Sequence, residues 1–315
     1  MTYVLVLVVL ALALPWGGAV IAVRLAGVLP PREACWALTG ASLLLAGGTI
    51  AALIGLFHVP FLASLEQVPL PRVLEEWPAA VPLACAAGAV MLGQLILLLR
   101  RWFQHRSLLS RAWRSAEEGT GDGDLLVVPG TDVDAFALPG YRGRRGRVVL
   151  TSGVVRDLKA SEREVLLAHE RAHLAGRHHL LSAAVDLASV IHPALRGPRE
   201  ALAFHLERWA DEAAAAVVGN RRVAAAAIAR AALAGAARGR PGKGGYPLLS
   251  ATSGPVPRRV EALLLPEPEL PRRGPRRAGV AALGGVVAVA AFAAVALAYG
   301  LHEYVEYAAV AVRGG

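Results

Sequence analysis

Four stretches of this chain carry no Asp, Glu, Lys or Arg: Tyr3 to Val23, Ala34 to Phe57, Ala79 to Leu99 and Ala278 to Leu301. Each holds the roughly 20 apolar residues a helix needs to cross the hydrocarbon of a bilayer, where backbone N–H and C=O groups must pair within the segment. Helices of a soluble core seldom run so far without a charge. The pattern predicts a mainly α membrane protein with four transmembrane helices, at about 3–23, 34–57, 79–99 and 278–301. Between the third and fourth, residues 100–277 change to short β-branched runs and amphipathic periods, which predicts one α+β domain; a short tail, 302–315, follows the last helix.

Within that domain Leu125–Val128 and Arg147–Ser152 read as short strands, and Phe136-Ala137-Leu138-Pro139-Gly140 ends a third. The Gly- and Arg-rich run from Tyr141 to Gly146 reads as a hairpin. Ser161-Glu162-Arg163-Glu164 has the form of a capping box, Ser at the N-cap and an acid three residues on. A helix is expected to open there and run to about His179, with His169 and His173 in its middle. Leu180 to Leu195 is apolar apart from Asp186 and His192, too short to span, and is expected to pack in the core. Further helices are expected from near Pro198 to a left-handed cap at Gly219-Asn220, from Arg221 to about Ala237, and from Pro255 to Leu265.

Composition agrees with the hydropathy pattern: 55% of the 315 residues are hydrophobic and only 18% charged. Charge then sets orientation. Residues 100–277 hold 29 of the 33 Lys and Arg, clustered at Arg100, Arg101, Arg106, Arg111 and Arg114 after the third helix and at Arg272, Arg273, Arg276 and Arg277 before the fourth. The loop between helices two and three carries Glu66, Glu75 and Glu76 against Arg72 alone. Positive charge stays on the cytoplasmic side, so the domain is expected in the cytoplasm of a multi-pass plasma-membrane protein whose N-terminus lies outside. The first helix has no basic residues before it, which argues against a cleaved signal peptide. A pI near 10.3 raises nucleic acid as a partner, but the arginines sit at membrane edges without a recognition-helix or aromatic RNA-binding pattern. Anionic headgroups of the lipid bilayer are the expected partner instead, with no direct nucleic-acid binding. Cys35 begins helix two on the cytoplasmic side whereas Cys85 lies near the outer end of helix three, so a disulfide is not expected and any metal must rely on His and carboxylate.

The chemistry concentrates in Ala168-His169-Glu170-Arg171-Ala172-His173. Residues four apart share a helix face, so both imidazoles can reach one metal while Glu170, on the adjacent face, addresses its water. This points to a zinc hydrolase with Glu170 as its acid and base. Catalytic zinc needs a third protein ligand, and two candidates stand in the sequence. His179 completes His-Glu-x-x-His-x-x-Gly-x-x-His with Gly176 in place, the metzincin pattern, but the Met turn of those enzymes has no residue here, since the only methionines are Met1 and Met91. Glu207, on the next helix, is the gluzincin solution, and Asp211 lies four residues on, on the same helix face, in reach of a ligand imidazole. His178 and His179 are otherwise expected to meet solvent or headgroups; His58, His105, His192, His205 and His302 are left out of the site.

Together these residues resemble the BlaR/MecR-type integral-membrane zinc peptidases and, more distantly, the HtpX-like membrane gluzincins. The resemblance rests on the four-helix layout, on Phe136–Gly140, on Val148-Val149-Leu150-Thr151-Ser152-Gly153, on His169-Glu170-x-x-His173 and on Glu207-x-x-x-Asp211, and covers nearly the whole chain. It implies a gluzincin-like zincin domain holding one Zn2+ on His169, His173 and Glu207, with Glu170 catalytic and Asp211 supporting a ligand. It also implies a metalloendopeptidase whose partner is a protein or peptide substrate: a transcriptional repressor, as in the regulatory members, or damaged membrane proteins, as in the HtpX-like ones. A membrane transducer or scaffold without chemistry is the third reading. Antibiotic-sensing members carry an extracellular penicillin-binding sensor after helix four, whereas this chain runs only to Gly315, so a β-lactam is not its expected signal. An extended substrate is expected to add to an edge strand near Ala135–Gly140 or Arg147–Ser152.

Overall fold

The computed structural model describes residues 2–65, 78–131, 133–236 and 256–266, with isolated positions at 71, 74–75 and between 280 and 310. Three long helices come first: α1 (Thr2–Ala26), α2 (Pro31–Leu65) and α3 (Ala80–Ala116). Two of them contain stretches long and apolar enough to cross a membrane, Pro31–His58 and Ala80–Ala116, while the apolar part of α1 with described side chains, Leu12–Ala26, is shorter. Only 11% of the most apolar stretch of α3 is buried, so Leu92, Leu95 and Ile96 face outward as lipid-facing side chains would. The fourth expected span, 278–301, lies outside the described residues apart from isolated helical positions.

One difference from the sequence reading concerns α3. It passes through Arg100, where a domain boundary was expected, and continues unbroken to Ala116. No Gly or Pro interrupts residues 94–116, so nothing in the backbone stops the helix where the apolar run ends. Its far end buries Ala112, Trp113 and Ala116 against Leu126, Leu138 and Val149 of a small sheet.

That sheet has the order β1-β3-β2, with β1 (Leu125–Val128) parallel and β2 (Ala135–Leu138) antiparallel to the central β3 (Arg147–Thr151). Alternation along β3 explains its place: Val149 faces the end of α3, while Val148 and Leu150 face Val154, Leu158 and Leu166 on the other side. The basic hairpin between β2 and β3 turns through Arg142 at φ 49° and Gly143 at φ 83°, the two positive values that a tight primed turn requires.

Helices follow: α4 (Ser152–Asp157), α5 (Ala160–Ala175), α6 (His178–Ile191), a 3-10 turn at Pro193–Leu195, α7 (Arg196–Val218), α8 (Arg221–Ala236) and α9 (Val256–Leu264). The start of α5 departs from the expected Ser161 cap. The N-cap is Lys159, whose backbone N–H donates to Glu162 at 2.9 Å, so the acid that caps the helix is Glu162 and not Glu164. Its end differs too. Rather than running to His179, α5 stops at Ala175, and Arg177 adopts a left-handed φ of 50° that turns the chain into α6. The cap of α7 at Gly219, φ 70°, agrees with the expected stop.

The apolar segment after His179 does pack inward. Leu181 and Val185 of α6 and Leu202 and Leu206 of α7 share one cluster with Ala22, Leu25 and Ala26 of α1 and Cys35 and Leu38 of α2. Thus α6 and α7, which hold His178 and Glu207, pack directly on the two N-terminal helices.

Candidate metal centre

His169 and His173 lie one turn apart on α5, and the Nε2 atoms of their rings face each other at 3.1 Å. Glu207 enters from α7, its Oε2 at 3.6 Å from His169 Nε2 and its Oε1 at 3.5 Å from His173 Nε2. Donors set tetrahedrally about 2.0–2.1 Å from one zinc stand about 3.3–3.4 Å apart, so the three separations fit a common ion. Among the described residues these three form a group of His and carboxylate donors whose ligand atoms all lie within 4.8 Å of one another.

Ionisable groups are concentrated around these donors. Glu170, Glu207 and Asp211 are all buried, and one buried guanidinium, Arg259, faces them. Carboxylates out of water need compensation, which Arg259 and a protonated His169 supply to Asp211 and Glu207 and which a divalent cation would supply in place of that proton. For Glu170, burial, reinforced by Glu207 and Asp134, pushes the carboxyl up to about 8 despite the opposing pull of His169 and of the nearby Ala137 N–H. Although that N–H lies close, it falls short of a hydrogen bond, and neither Glu170 oxygen has a partner among the described residues. A buried acid without partners, beside converging donors, fits a group that acts on a ligand.

Each imidazole is held from behind. Asp211, one turn after Glu207 on α7, places Oδ1 3.0 Å from His169 Nδ1. Burial opposes a charge on His169, but Asp211 and then Glu207 outweigh it and draw the ring up to about 10, so in the absence of a metal it holds a proton. Burial likewise works to raise Asp211, yet Arg259 and His169 hold it at about 2. For His173 the support is His178, whose Nδ1 lies 2.8 Å from His173 Nδ1, while the His178 ring packs 4.5 Å from that of Trp209. Burial keeps both His173 and His178 neutral, at about 3. With both rings neutral, a His173 that offers Nε2 to a metal carries its proton on Nδ1 and donates it to His178.

Sequence reasoning missed two of these residues. His178 was expected at solvent or headgroups, but it is only 3% exposed. It stands five positions from His173, off the helix face, and only the left-handed turn at Arg177 brings it back, so no linear spacing signals it. Arg259, 1% exposed on α9, grips Asp211 with Nε at 2.8 Å and Nη2 at 2.6 Å and reaches Glu207 Oε2 with Nη1 at 2.8 Å. Nothing in Val256–Leu264 marks it beyond being an arginine in an amphipathic helix.

Other expectations separate cleanly. His179 does not join the donors; it lies on α6 and lines a separate groove together with Trp102 and Tyr141. His105 pairs with Asp186, His192 accepts from Ala194 N–H and meets Leu12 O, and His58 meets Ile54 O, while His302 lies outside the described residues. His205 is buried but outside the group. Of the two strands considered for substrate, β3 is excluded because both its edges are taken, by β1 and β2. The edge strand β2 packs on α5 beside Glu170, and a cavity of about 20 Å³ lined by Asp134, Ala135, His169 and Arg259 has room for about one water.

Residues 106–197 match the model of peptidase family M48. The matched stretch runs from the second half of α3 to the start of α7; it includes His169, Glu170 and His173 and ends before Glu207, Asp211 and Arg259. No curated protein and no solved structure matches the chain. The match, to a family that is zinc-dependent in general, supports a metallopeptidase, and the clustered His169, His173 and Glu207 are consistent with a metal site.

Proposed function

We propose that the chain is a membrane-anchored zinc endopeptidase that cleaves a cytoplasmic or membrane-proximal protein, with His169, His173 and Glu207 as its metal ligands. The observation that carries this reading is the convergence of three donor side chains from α5 and α7 beside the buried, unpartnered carboxylate of Glu170. The BlaR/MecR-like and HtpX-like resemblance of the sequence agrees with it, and the outward-facing apolar surface of α3 supports the anchor.

Zinc, when bound, lowers the pKa of its water toward 7 and polarises the scissile carbonyl. The rest falls to the chain. Glu170, whose carboxyl oxygens have no hydrogen-bond partner among the described residues, takes the proton of the attacking water and later delivers it to the leaving amine. Asp211 and His178 fix the rings of His169 and His173, so that each Nε2 stays aimed at the ion. Arg259 locks Glu207 and Asp211 to each other. An extended peptide adding to the outer edge of β2 would lie across Glu170, which turns strand pairing into positioning of the scissile bond.

Metal analysis and proteolysis of the purified full chain test this together. The parent is expected to carry one zinc and cut an unfolded protein such as casein. Glu170→Gln should keep the zinc and lose about 10²–10⁴-fold in rate, whereas Glu207→Ala should lose zinc itself. Full activity in Glu170→Gln, or unchanged zinc in Glu207→Ala, would refute the assignment. Substrates trapped in cells expressing Glu170→Gln would then distinguish one accumulating repressor from many misfolded membrane proteins.

A further inference from the structure

A groove of about 330 Å³ opens beside α3 just past its uncharged stretch, and none of His169, Glu170, His173 or Glu207 lines it. Its size lies in the range of small-molecule sites, about 300–1,000 Å³. The walls are Trp102 and Leu109 from α3, Pro139 and Tyr141 from the connection after β2, and Leu180 and Ala183 from α6. Trp102 is 50% and Leu180 52% exposed, so an apolar surface lies open at the groove's mouth.

The rim is cationic. Arg106 stands with its guanidinium 5.9 Å from the Trp102 ring, and Arg142 stacks 5.4 Å from the Tyr141 ring. Among the described residues neither meets a carboxylate, and no acid lines the groove. Height matters as well. Arg106 follows Leu99 by seven residues, roughly 10 Å of helix, which sets it near the headgroups of a bilayer crossed by α3. Trp102 between them occupies the position of an interfacial aromatic.

We propose that this groove binds one anionic phospholipid, its phosphate held by Arg106 and Arg142 and part of an acyl chain lying against Trp102, Leu180 and Ala183. A peptide suits the site less well. Its backbone would bring a donor and an acceptor at every residue, while the lining offers little beyond Ser182 and His179, since His105 is committed to Asp186. A lipid presents charge at one end and hydrocarbon at the other, as the groove does. The proposal rests on α3 crossing the membrane and is independent of peptidase activity.

Native mass spectrometry of the full chain in detergent micelles, titrated with phosphatidylglycerol or phosphatidylcholine of equal chain length, tests it. One phosphatidylglycerol per chain is expected, held about tenfold more tightly than phosphatidylcholine. Arg106→Gln should weaken it about fivefold, and Arg114→Gln, which removes an exposed cation of the same helix outside the groove, should not. Ala183→Trp, which fills the groove without changing charge, should abolish the preference. Equal retention of the two lipids, or equal effects of Arg106→Gln and Arg114→Gln, would overturn the proposal, as would tighter binding of an apolar acidic peptide. The two arginine variants decide the matter even if Ala183→Trp fails to fold.

Discussion

Arg259 shows how much of this site depends on one side chain far away in sequence. Its planar fork bridges two carboxylates at once, holding Asp211 on two nitrogens and Glu207 on the third. Removing it leaves the two buried carboxylates with His169 as their remaining cationic partner when no metal is bound, and breaking a buried pair costs about 3–5 kcal/mol. Arg259→Gln should therefore lower the melting temperature and weaken zinc binding by about 10–100-fold, because the ligand Glu207 loses its support. Arg259→Lys should rescue little, since an ammonium cannot span both carboxylates in the same geometry. Calorimetry with and without zinc checks both, and an unchanged melting temperature in Arg259→Gln would show that the clamp contributes nothing.

At the level of elements, the turn between α5 and α6 governs the second histidine. A Cβ placed on Gly176 would stand 2.4 Å from His178 Nε2, closer than packing permits, and His178 is what meets His173 Nδ1. Gly176 fits the metzincin spacing in the sequence, but here its use is to let the His178 ring pass. Gly176→Ala should cost about 1–3 kcal/mol and reduce zinc retention, as for other overpacked sites. His178→Ala in the same chain should restore stability without restoring full zinc affinity. If Gly176→Ala behaves like the parent in a zinc-competition assay, the contact is not limiting. The same elements show how sequence legibility varies. The period of α7 and its Gly219 stop were readable because amphipathicity and a left-handed cap are local signals. The end of α5 was not, because Arg177 takes a backbone conformation that its residue type does not announce.

For the whole molecule, Asp186 ties the membrane helix to the site. It is 2% exposed on α6 and meets Arg199 Nε of α7 at 2.7 Å, His105 Nε2 of α3 at 3.0 Å and Arg101 of α3 at 4.0 Å. The His105 contact, helped by Arg199 and Arg101 against the cost of burial, holds its carboxyl below the usual range. A depressed carboxyl contributes stability above its unfolded pKa and loses it as pH falls through the folded value. Asp186→Asn should therefore cost about 1–3 kcal/mol at neutral pH, with the exposed arginines contributing least. The gap between parent and variant melting temperatures should begin to close as pH falls below about 4 and vanish only below the lower, folded-state value. A gap that stays constant down to pH 2 would assign the effect to packing rather than charge.

Local order in the chain was enough to determine two of its expected apolar spans, most of its helices, its strands and the face shared by His169 and His173. Hydrophobic period, capping and side-chain spacing act over a few residues, so they are written where they operate. Only tertiary structure decided that α3 runs from the apolar span into the sheet's core, and that β2 rather than β3 offers an open edge. It alone also brought His178 and Arg259 to the site. Those outcomes depend on burial and charge compensation between segments remote in sequence, and such energies take a value only once the segments have met.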